Sequence, residues 1–509
     1  MRPLFLLLLG TALLLAAPLP AAFAAPGDAE QPNIVVITTD DQPRSSFTRK
    51  IMPRTFKLLV DEGTNFSDAV TVVPLCCPSR ATLITGQYPH NHGILANQDG
   101  YGSLIKPRSV LPVWLRRAGY RTAHIGKWLH GYEEVEGTRP APGWSRWLTQ
   151  ISPRRYNDYE LSDEGRRVRY GTRPGDHLSR VLNRAAQSFV RGNVDGRRPL
   201  YLQLDHFAPH RGAGVRSNKA CIGSAFPEVG DIGTSPIPGA PRTPAFNELD
   251  TTDKPYWERD HPLLDERQVR SLDRRYRCVA ESLASVDRGV AALVRAFRRS
   301  GELRNTAFLF MTDNGYLFGE HRLKAGKTRA LEPAIRVPMA LRLPRDAQQQ
   351  PVSDLPVATL DVVPTVLELA GAEPCSGGSC RILDGRSLLP LAEGRTSGFA
   401  GRSILIEVAE PATPVPIGRS CAYTAVRAGG SIYIDHSLPP NRETGACEPG
   451  SVIEQYDLRA DPFQLENLAE SRDPAAAGAR TVLAERLREL EDCAGLEGRD
   501  PATPGGYCD

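Results

Sequence analysis

The chain reads as an α/β protein with a large, mostly parallel central sheet and a smaller C-terminal unit, and three observations predict this. Apolar, β-branched runs without alternation recur along it, as strands buried on both faces of a parallel sheet do. Between them lie stretches whose apolar residues are spaced by three and four. Charged and amide residues follow the apolar runs directly, where ligands collect at the carboxyl ends of strands in such folds.

The N-terminus carries Met1-Arg2-Pro3, an apolar run from Leu4 to Ala17 and then Ala22-Phe23-Ala24. A basic start, a short apolar middle and a small-residue cleavage pattern predict a signal peptide over 1–24. The run is short for a retained anchor, and no later segment offers the roughly 18 consecutive apolar residues of a membrane span. The mature product is therefore expected to begin near Ala25, to be secreted, and to hold no membrane contact after cleavage.

Behind a short segment, 25–32, the catalytic α/β domain is expected over 33–400. Its first strand is Asn33-Ile34-Val35-Val36-Ile37-Thr38-Thr39, ending in Asp40-Asp41. Further strands are expected at Arg121 to Gly126, Leu200 to Asp205, Ala307 to Thr312, Met339 to Leu343 and Ile404 to Glu407. A long helix is expected from Tyr276 to Arg298, where Val279, Leu283, Val286, Val290, Leu293, Val294 and Phe297 make one apolar face. Arg211 to Pro262 is rich in Gly, Pro and Asp and reads as a long surface excursion suited to lining a cleft. The C-terminal subdomain is expected over 401–509, with short antiparallel strands at Ser431 to Ile434 and Glu454 to Leu458 and a helix from Ala475 to Leu490.

Composition sets bounds. The 509 residues are 41% hydrophobic and 24% charged, with 62 Lys+Arg against 59 Asp+Glu and a net charge of +3. That is ordinary globular composition. So slight a basic excess gives no support to a nucleic-acid partner, and any anion recognition must be local. Of the ten cysteines, Cys76 and Cys77 are adjacent, and the other eight fall into neighbours along the chain. The expected pairs are Cys221 with Cys278, Cys375 with Cys380, Cys421 with Cys447, and Cys493 with Cys508; partial pairing with some free thiols is the alternative, since spacing does not fix connectivity.

Two adjacent carboxylates at a buried strand end are costly without a cation or positive partner. Asp40-Asp41 meets that description, and Asp313-Asn314-Gly315 repeats it after Phe308-Leu309-Phe310-Met311-Thr312. Each alone reads as a turn or helix cap. Together they make an all-oxygen set suited to a hard cation, Ca²⁺ or Mg²⁺.

The block Leu75-Cys76-Cys77-Pro78-Ser79-Arg80-Ala81-Thr82-Leu83-Ile84-Thr85-Gly86 sets a cysteine, a proline, a hydroxyl and an arginine at fixed offsets ahead of a helix-like run. It resembles the signature of the sulfatase family, whose first cysteine in Cys-x-Pro-Ser-Arg is oxidised to Cα-formylglycine by a separate maturation enzyme. Here that residue is Cys76. The resemblance implies an alkaline-phosphatase-like sandwich and maps Asp40, Asp41, Asp313 and Asn314 onto the family's calcium ligands, with the formylglycine oxygen at position 76 completing the set. Gly126-Lys127-Trp128-Leu129-His130-Gly131 looks like the family's Gly-Lys block, with Lys127 as a sulfate-binding lysine. Many members carry a histidine two residues after that lysine. This chain has Leu129 there and His130 one place later. Ala208-Pro209-His210 is similar to the block whose histidine faces the leaving oxygen, and Gly319-Glu320-His321-Arg322-Leu323-Lys324-Ala325-Gly326-Lys327 carries over Lys327 as the second sulfate lysine. Cys76-Cys77, Gln87-Tyr88-Pro89-His90-Asn91-His92-Gly93 and Ser285-Val286-Asp287 resemble most the N-acetylglucosamine-6-sulfatase and extracellular endosulfatase branch, a pattern that arylsulfatases share.

The resemblance implies hydrolysis of a sulfated small molecule or glycan. On that resemblance a divalent cation, Lys127 and Lys327 would clamp the sulfuryl oxygens. A hydroxyl of the aldehyde hydrate, made more acidic by the metal and Arg80, would attack sulfur while His210 serves the departing alkoxide, and His130 or another base that the sequence does not assign would release sulfate. Two other readings stand beside it: a formylglycine-dependent phosphonate or phosphate ester hydrolase, and a non-catalytic glycan-binding relative.

Overall fold

Seven fully buried residues, Asn33–Thr39, make the strand around which the molecule is built. In this computed structural model, which describes residues 31–194, 197–214, 221–344, 347, 349–376, 379–396, 398–409, 421–491, 493 and 508, that strand (β1) lies in a ten-stranded sheet. The expected signal peptide at 1–24 and nearly all of the segment 25–32 lie outside the described residues. The other strands are β2 (Thr64–Phe66), β3 (Arg121–Gly126), β4 (Arg146–Gln150), β5 (Tyr159–Asp163), β6 (Arg166–Tyr170), β7 (Leu200–Asp205), β8 (Thr306–Thr312), β9 (Met339–Arg342) and β10 (Val352–Ser353). Their order is β10-β2-β9-β8-β1-β7-β3-β4-β5-β6. The middle five, β8 to β4, are parallel. Antiparallel pairs flank them, β9 on β8 at one side and β5 on β4 at the other.

Both faces of β1 are apolar because both are covered. Val35 and Ile37 point into one core with Phe308 and Phe310, under helices α3 (Leu178–Asn193) and α4 (Glu266–Arg299). Ile34 and Val36 point into the opposite core with Leu309 and Met311, under α1 (Cys76–Thr85), α2 (Leu111–Arg117) and α5 (Val362–Ala370). The expected apolar face of α4 is the one that packs. The helix begins ten residues earlier than its apolar pattern, at Glu266, where Asp265 and Gln268 form a reciprocal capping box: the Gln268 N–H donates to Asp265 Oδ1 at 2.8 Å and the Asp265 N–H to Gln268 Oε1 at 3.0 Å.

The C-terminal part contains a separate four-stranded antiparallel sheet, β11 (Ser403–Val408), β12 (Tyr423–Ala428), β13 (Ser431–His436) and β14 (Val452–Asp457), with helix α6 (Pro474–Glu491) against it. All four expected disulfides are present. The Cys221–Cys278 bond ties the described part of the Arg211 to Pro262 excursion to α4.

Candidate active site

Four neighbouring parallel strands, β8, β1, β7 and β3, end at the same edge, and each delivers polar residues there. Asp313 and Asn314 leave β8, Asp40 and Asp41 leave β1, Asp205 closes β7, and Lys127 follows β3. The exit from β3 requires glycine: Gly126 has φ 133°, and a Cβ there would lie 1.8 Å from the Asp205 carbonyl oxygen. Asp41 also turns into the left-handed region, φ 60°, and its N–H donates to Asp313 Oδ1 at 3.2 Å. Helix α1 aims its first residue, Cys76, at this group, and Gly86 at φ 69° ends the helix.

Arg80, one turn into α1 and buried, ties the strand ends together. Its Nε donates to Asp313 Oδ2 at 2.9 Å, its Nη2 to Asp40 Oδ2 at 3.3 Å and its Nη1 to the Lys127 carbonyl at 3.0 Å. Nη1 also faces Asp205 Oδ1 at 3.4 Å. Lys127 is buried and donates to Asp40. Lys327 donates to Asp41 and lies 2.6 Å from Cys76 Sγ. The sulfur is 3.4 Å from Asp40 Oδ1 and 3.9 Å from Asp41 Oδ1. Ser79 Oγ donates to the Asp313 carbonyl at 2.6 Å. His210 donates from Nδ1 to the Arg211 carbonyl at 2.5 Å, which leaves Nε2 3.5 Å from Asp41 Oδ2.

The charges are unbalanced. Asp40, Asp41, Asp205 and Asp313 face Arg80, Lys127 and Lys327, so the carboxylates outnumber the obligate cations. Burial alone would raise Asp40, but Lys127, His210, Arg80 and Lys327 hold it far below the carboxylate range. Burial, with Asp40 alongside, pushes Asp313 up to about 6. Burial and Asp40 push the Cys76 thiol up to about 12, so the encoded side chain is a neutral thiol at physiological pH. Burial lowers His210 despite Asp41 and Asp40.

The donors fit a hard divalent cation. Asp40, Asp41, Cys76 and His210 offer atoms all within 4.8 Å of one another. Asn314 donates its amide N–H to Asp41 Oδ1 at 2.7 Å, while its buried Oδ1 has no hydrogen-bond partner. An orphaned buried oxygen beside surplus carboxylate is what a cation would satisfy. Asp313 is not in that group; its Oδ2 accepts Arg80 Nε at 2.9 Å and its Oδ1 the Asp41 N–H at 3.2 Å.

Thus Cys76, Arg80, Lys127, His210, Lys327, Asp40, Asp41, Asp313 and Asn314 come together. His130 stands apart. It lines a neighbouring cavity of about 560 Å³ with Asn97, Glu133 and Arg154. Burial, then Lys127 and Arg154, lowers its pKa to about 2. The cavity at the strand-end cluster, about 500 Å³, is lined by Asp41, His210 and Lys327 together with Arg211, His261, Tyr316, Arg322 and Lys324. Sequence reasoning passed over Asp205, which carries Arg80 and lies 3.1 Å from buried His124 Nε2. Its signal was the same as that of Asp40: a carboxylate closing a buried apolar run.

The chain matches the family model described as Sulfatase over residues 32–372. It is 29% identical to the N-acetylglucosamine-6-sulfatase of Homo sapiens, over 94% of this chain and 88% of that protein. A protein solved in complex with its substrate D-glucosamine-2-N,6-O-disulfate superposes with a TM-score of 0.68 at 20% identity, covering 91% of this chain and 98% of that one. The phosphonate monoester hydrolase of Agrobacterium radiobacter superposes at 0.61 with 19% identity, covering 91% and 95%.

Proposed function

The chain belongs to the sulfatase family, and on that premise we propose that this sulfuric ester hydrolase is exported and cleaves carbohydrate 6-O-sulfates and aryl sulfates. The observation that carries the reading is Cys76 at the first turn of α1, with Lys327 at 2.6 Å from its sulfur and Asp40 at 3.4 Å. A thiol raised to about 12 is a poor nucleophile. Oxidised to Cα-formylglycine, position 76 would instead supply a geminal diol, one hydroxyl to attack sulfur and the other to expel sulfate. Asp40, Asp41, Asp313 and Asn314 would hold the divalent cation, Ca²⁺ by the all-oxygen donor set, and that ion would supply charge against the sulfuryl oxygens.

The chain's own residues do the rest. Lys127 and Lys327 are preorganised by Asp40 and Asp41, so they meet the anionic ester without first being ordered. Arg80 fixes Asp40 and Asp313 in relation to position 76. His210 has Nδ1–H committed to a carbonyl, so Nε2 is the atom that exchanges a proton with the leaving oxygen. His130 opens on the adjacent cavity, and burial with Lys127 and Arg154 lowers its pKa to about 2, which makes its ring a weak base for the proton that releases sulfate.

Export is supported by the N-terminal leader pattern and by four disulfides, which persist in oxidising compartments. Among the described residues no helix is long and apolar enough to cross a membrane. The 6-O-sulfate preference draws on the name of the human relative and on the substrate of the solved neighbour. The deciding experiment compares one aryl group as sulfate, phosphate monoester and phosphonate monoester. Two lysines and one divalent cation suffice for a monoanionic sulfate ester, so kcat/KM should be highest for it. A higher value for either phosphorus ester would assign the chain to the other hydrolase class. Turnover of none of these esters or of a sugar 6-O-sulfate would leave the glycan-binding reading.

A further inference from the structure

The cavity at the strand-end cluster holds more positive charge than one sulfuryl group requires, and two of its cations have donors that the wall does not engage among the described residues. Arg211, Arg322, Lys324 and Arg329 line it above Lys327, and among the described residues Asp41 is its one carboxylate. The chain as a whole is nearly neutral, so this excess is local. Two of the four have their donors engaged by the wall itself. Arg322 donates from Nε, Nη1 and Nη2 to the carbonyls of Glu248, His261 and Leu249, at 2.8, 3.0 and 2.8 Å. Arg329 Nε lies 3.1 Å from the buried Glu258 carboxylate.

Those bonds hold a strained turn. His321 and Arg322 both have positive φ, 49° and 63°, which costs free energy in residues bearing a Cβ. The buried His321 ring offsets part of that cost through its Nδ1 contact with Glu248 Oε2 at 2.6 Å. The segment that follows lines the cavity, with Lys324 exposed and Lys327 half-buried. Lys324 and Arg211 are exposed, and neither side chain has an ion-pair partner among the described residues. Unpaired cations on the walls of a cleft focus the field toward anions entering it.

We infer that Arg211 and Lys324 form a second anion subsite, so that the substrate is a saccharide bearing another oxyanion, sulfate or carboxylate, beside the ester being cleaved. For the ester itself this rests on the proposed hydrolase reading. The planar guanidinium of Arg211 suits a bidentate oxyanion, and Lys324 adds a point charge across the opening.

Calorimetry on the full chain with Cys76 unoxidised reads binding without turnover. The probes are N-acetylglucosamine 6-O-sulfate, glucosamine N,6-O-disulfate, and a disaccharide in which a uronic acid flanks N-acetylglucosamine 6-O-sulfate. At low salt one dianionic probe should bind about tenfold more tightly than the first, with the gap closing as salt rises; which one does so identifies sulfate or carboxylate as the second group. In the R211A/K324A double variant, with its melting temperature checked, the ratio should fall to about one, and R211K/K324R should restore most of it. Equal affinity for the three probes, no measurable binding of the dianionic ones, or a preference that survives the double variant overturns the subsite. Failure of the hydrolase reading shows separately, as a matured enzyme that turns over no sulfate ester while the binding ratio persists.

Discussion

Lys327 sets its ammonium 2.6 Å from the sulfur of Cys76 while donating to Asp41. Residue 76 therefore sits between the Lys327 ammonium and the carboxylates of Asp40 and Asp41. An ionised thiol is not stable there, because burial and Asp40 push it up to about 12. The encoded side chain there is a neutral thiol, and the proposed hydrolysis requires its conversion to a group that delivers an oxygen nucleophile.

Oxidation should accordingly be found at Cys76 and not at Cys77. Peptide mass spectrometry of protein from the native source should show the aldehyde or its hydrate at Cys76; two unmodified thiols in a fully active enzyme would end the mechanism. Cys76→Ala should abolish nearly all turnover. Cys77 lies in the core under the sheet and its sulfur accepts the His130 N–H at 3.3 Å. Cys77→Ala should therefore act on stability, by about 1 kcal/mol.

Removing the cation should cost activity and leave the fold. Chelation, or Asp313→Ala, should lower kcat by orders of magnitude with little change in far-ultraviolet circular dichroism. Adding Ca²⁺ to the chelated protein should raise its Tm in a concentration-dependent way, as expected of a ligand that binds only the folded state. A Tm indifferent to Ca²⁺, Mg²⁺ and other divalent ions would refute the site.

Acid sensitivity should trace in part to His92. The ring is buried, with Nδ1 accepting the Ile94 N–H at 3.2 Å and Nε2 3.2 Å from Thr82 Oγ. Burial, aided by Arg381 and His90, lowers its pKa to about 3. The unfolded chain binds this proton near pH 6.5 and the folded chain only near 3, so the group's stabilisation is complete above 6.5 and is lost as pH falls. Each pH unit in that window costs about 1.4 kcal/mol. Urea midpoints at pH 7 and pH 5 should fall further for the wild type than for His92→Asn. Equal slopes would remove His92 from the account.

The central strands were legible because their burial on two faces leaves an unbroken apolar record, as in Asn33–Thr39 and Thr306–Thr312. The residues closing those strands were legible for the converse reason, since charge at a buried end needs a partner. β5 and β6 left no such record: Arg166–Tyr170 is mostly exposed and reads Arg-Arg-Val-Arg-Tyr. Helix α3 was also passed over, although Leu178, Val181, Leu182, Ala186, Phe189 and Val190 recur at spacings of three and four and its amphipathic record was there to be read. At the site, Arg211 and Lys324 could not be recognised from sequence, because an unpaired surface cation looks like any other until the fold shows which cavity it borders.

The C-terminal sheet should depend for its attachment in part on a buried ion pair at its first strand. Asp361, just before α5, accepts Arg402 Nη1 at 2.6 Å and Nη2 at 2.9 Å, and both side chains are fully buried. Asp361 also accepts the N–H groups of Ala358 and Arg386 at 2.7 and 2.8 Å, so all of its oxygen capacity is organised around a charge that Arg402 neutralises. Arg402 directly precedes β11, the first strand of the C-terminal sheet. Arg402→Met would leave the Asp361 carboxylate buried and uncompensated, a loss of about 3–5 kcal/mol. Urea unfolding followed by fluorescence should show the drop, while kcat per folded molecule stays near that of the wild type because neither residue contacts the strand-end cluster. The double variant Arg402→Met with Asp361→Asn should recover part of the loss, since the stranded charge is then gone. A single variant as stable as the wild type would mean that the pair adds nothing to the attachment.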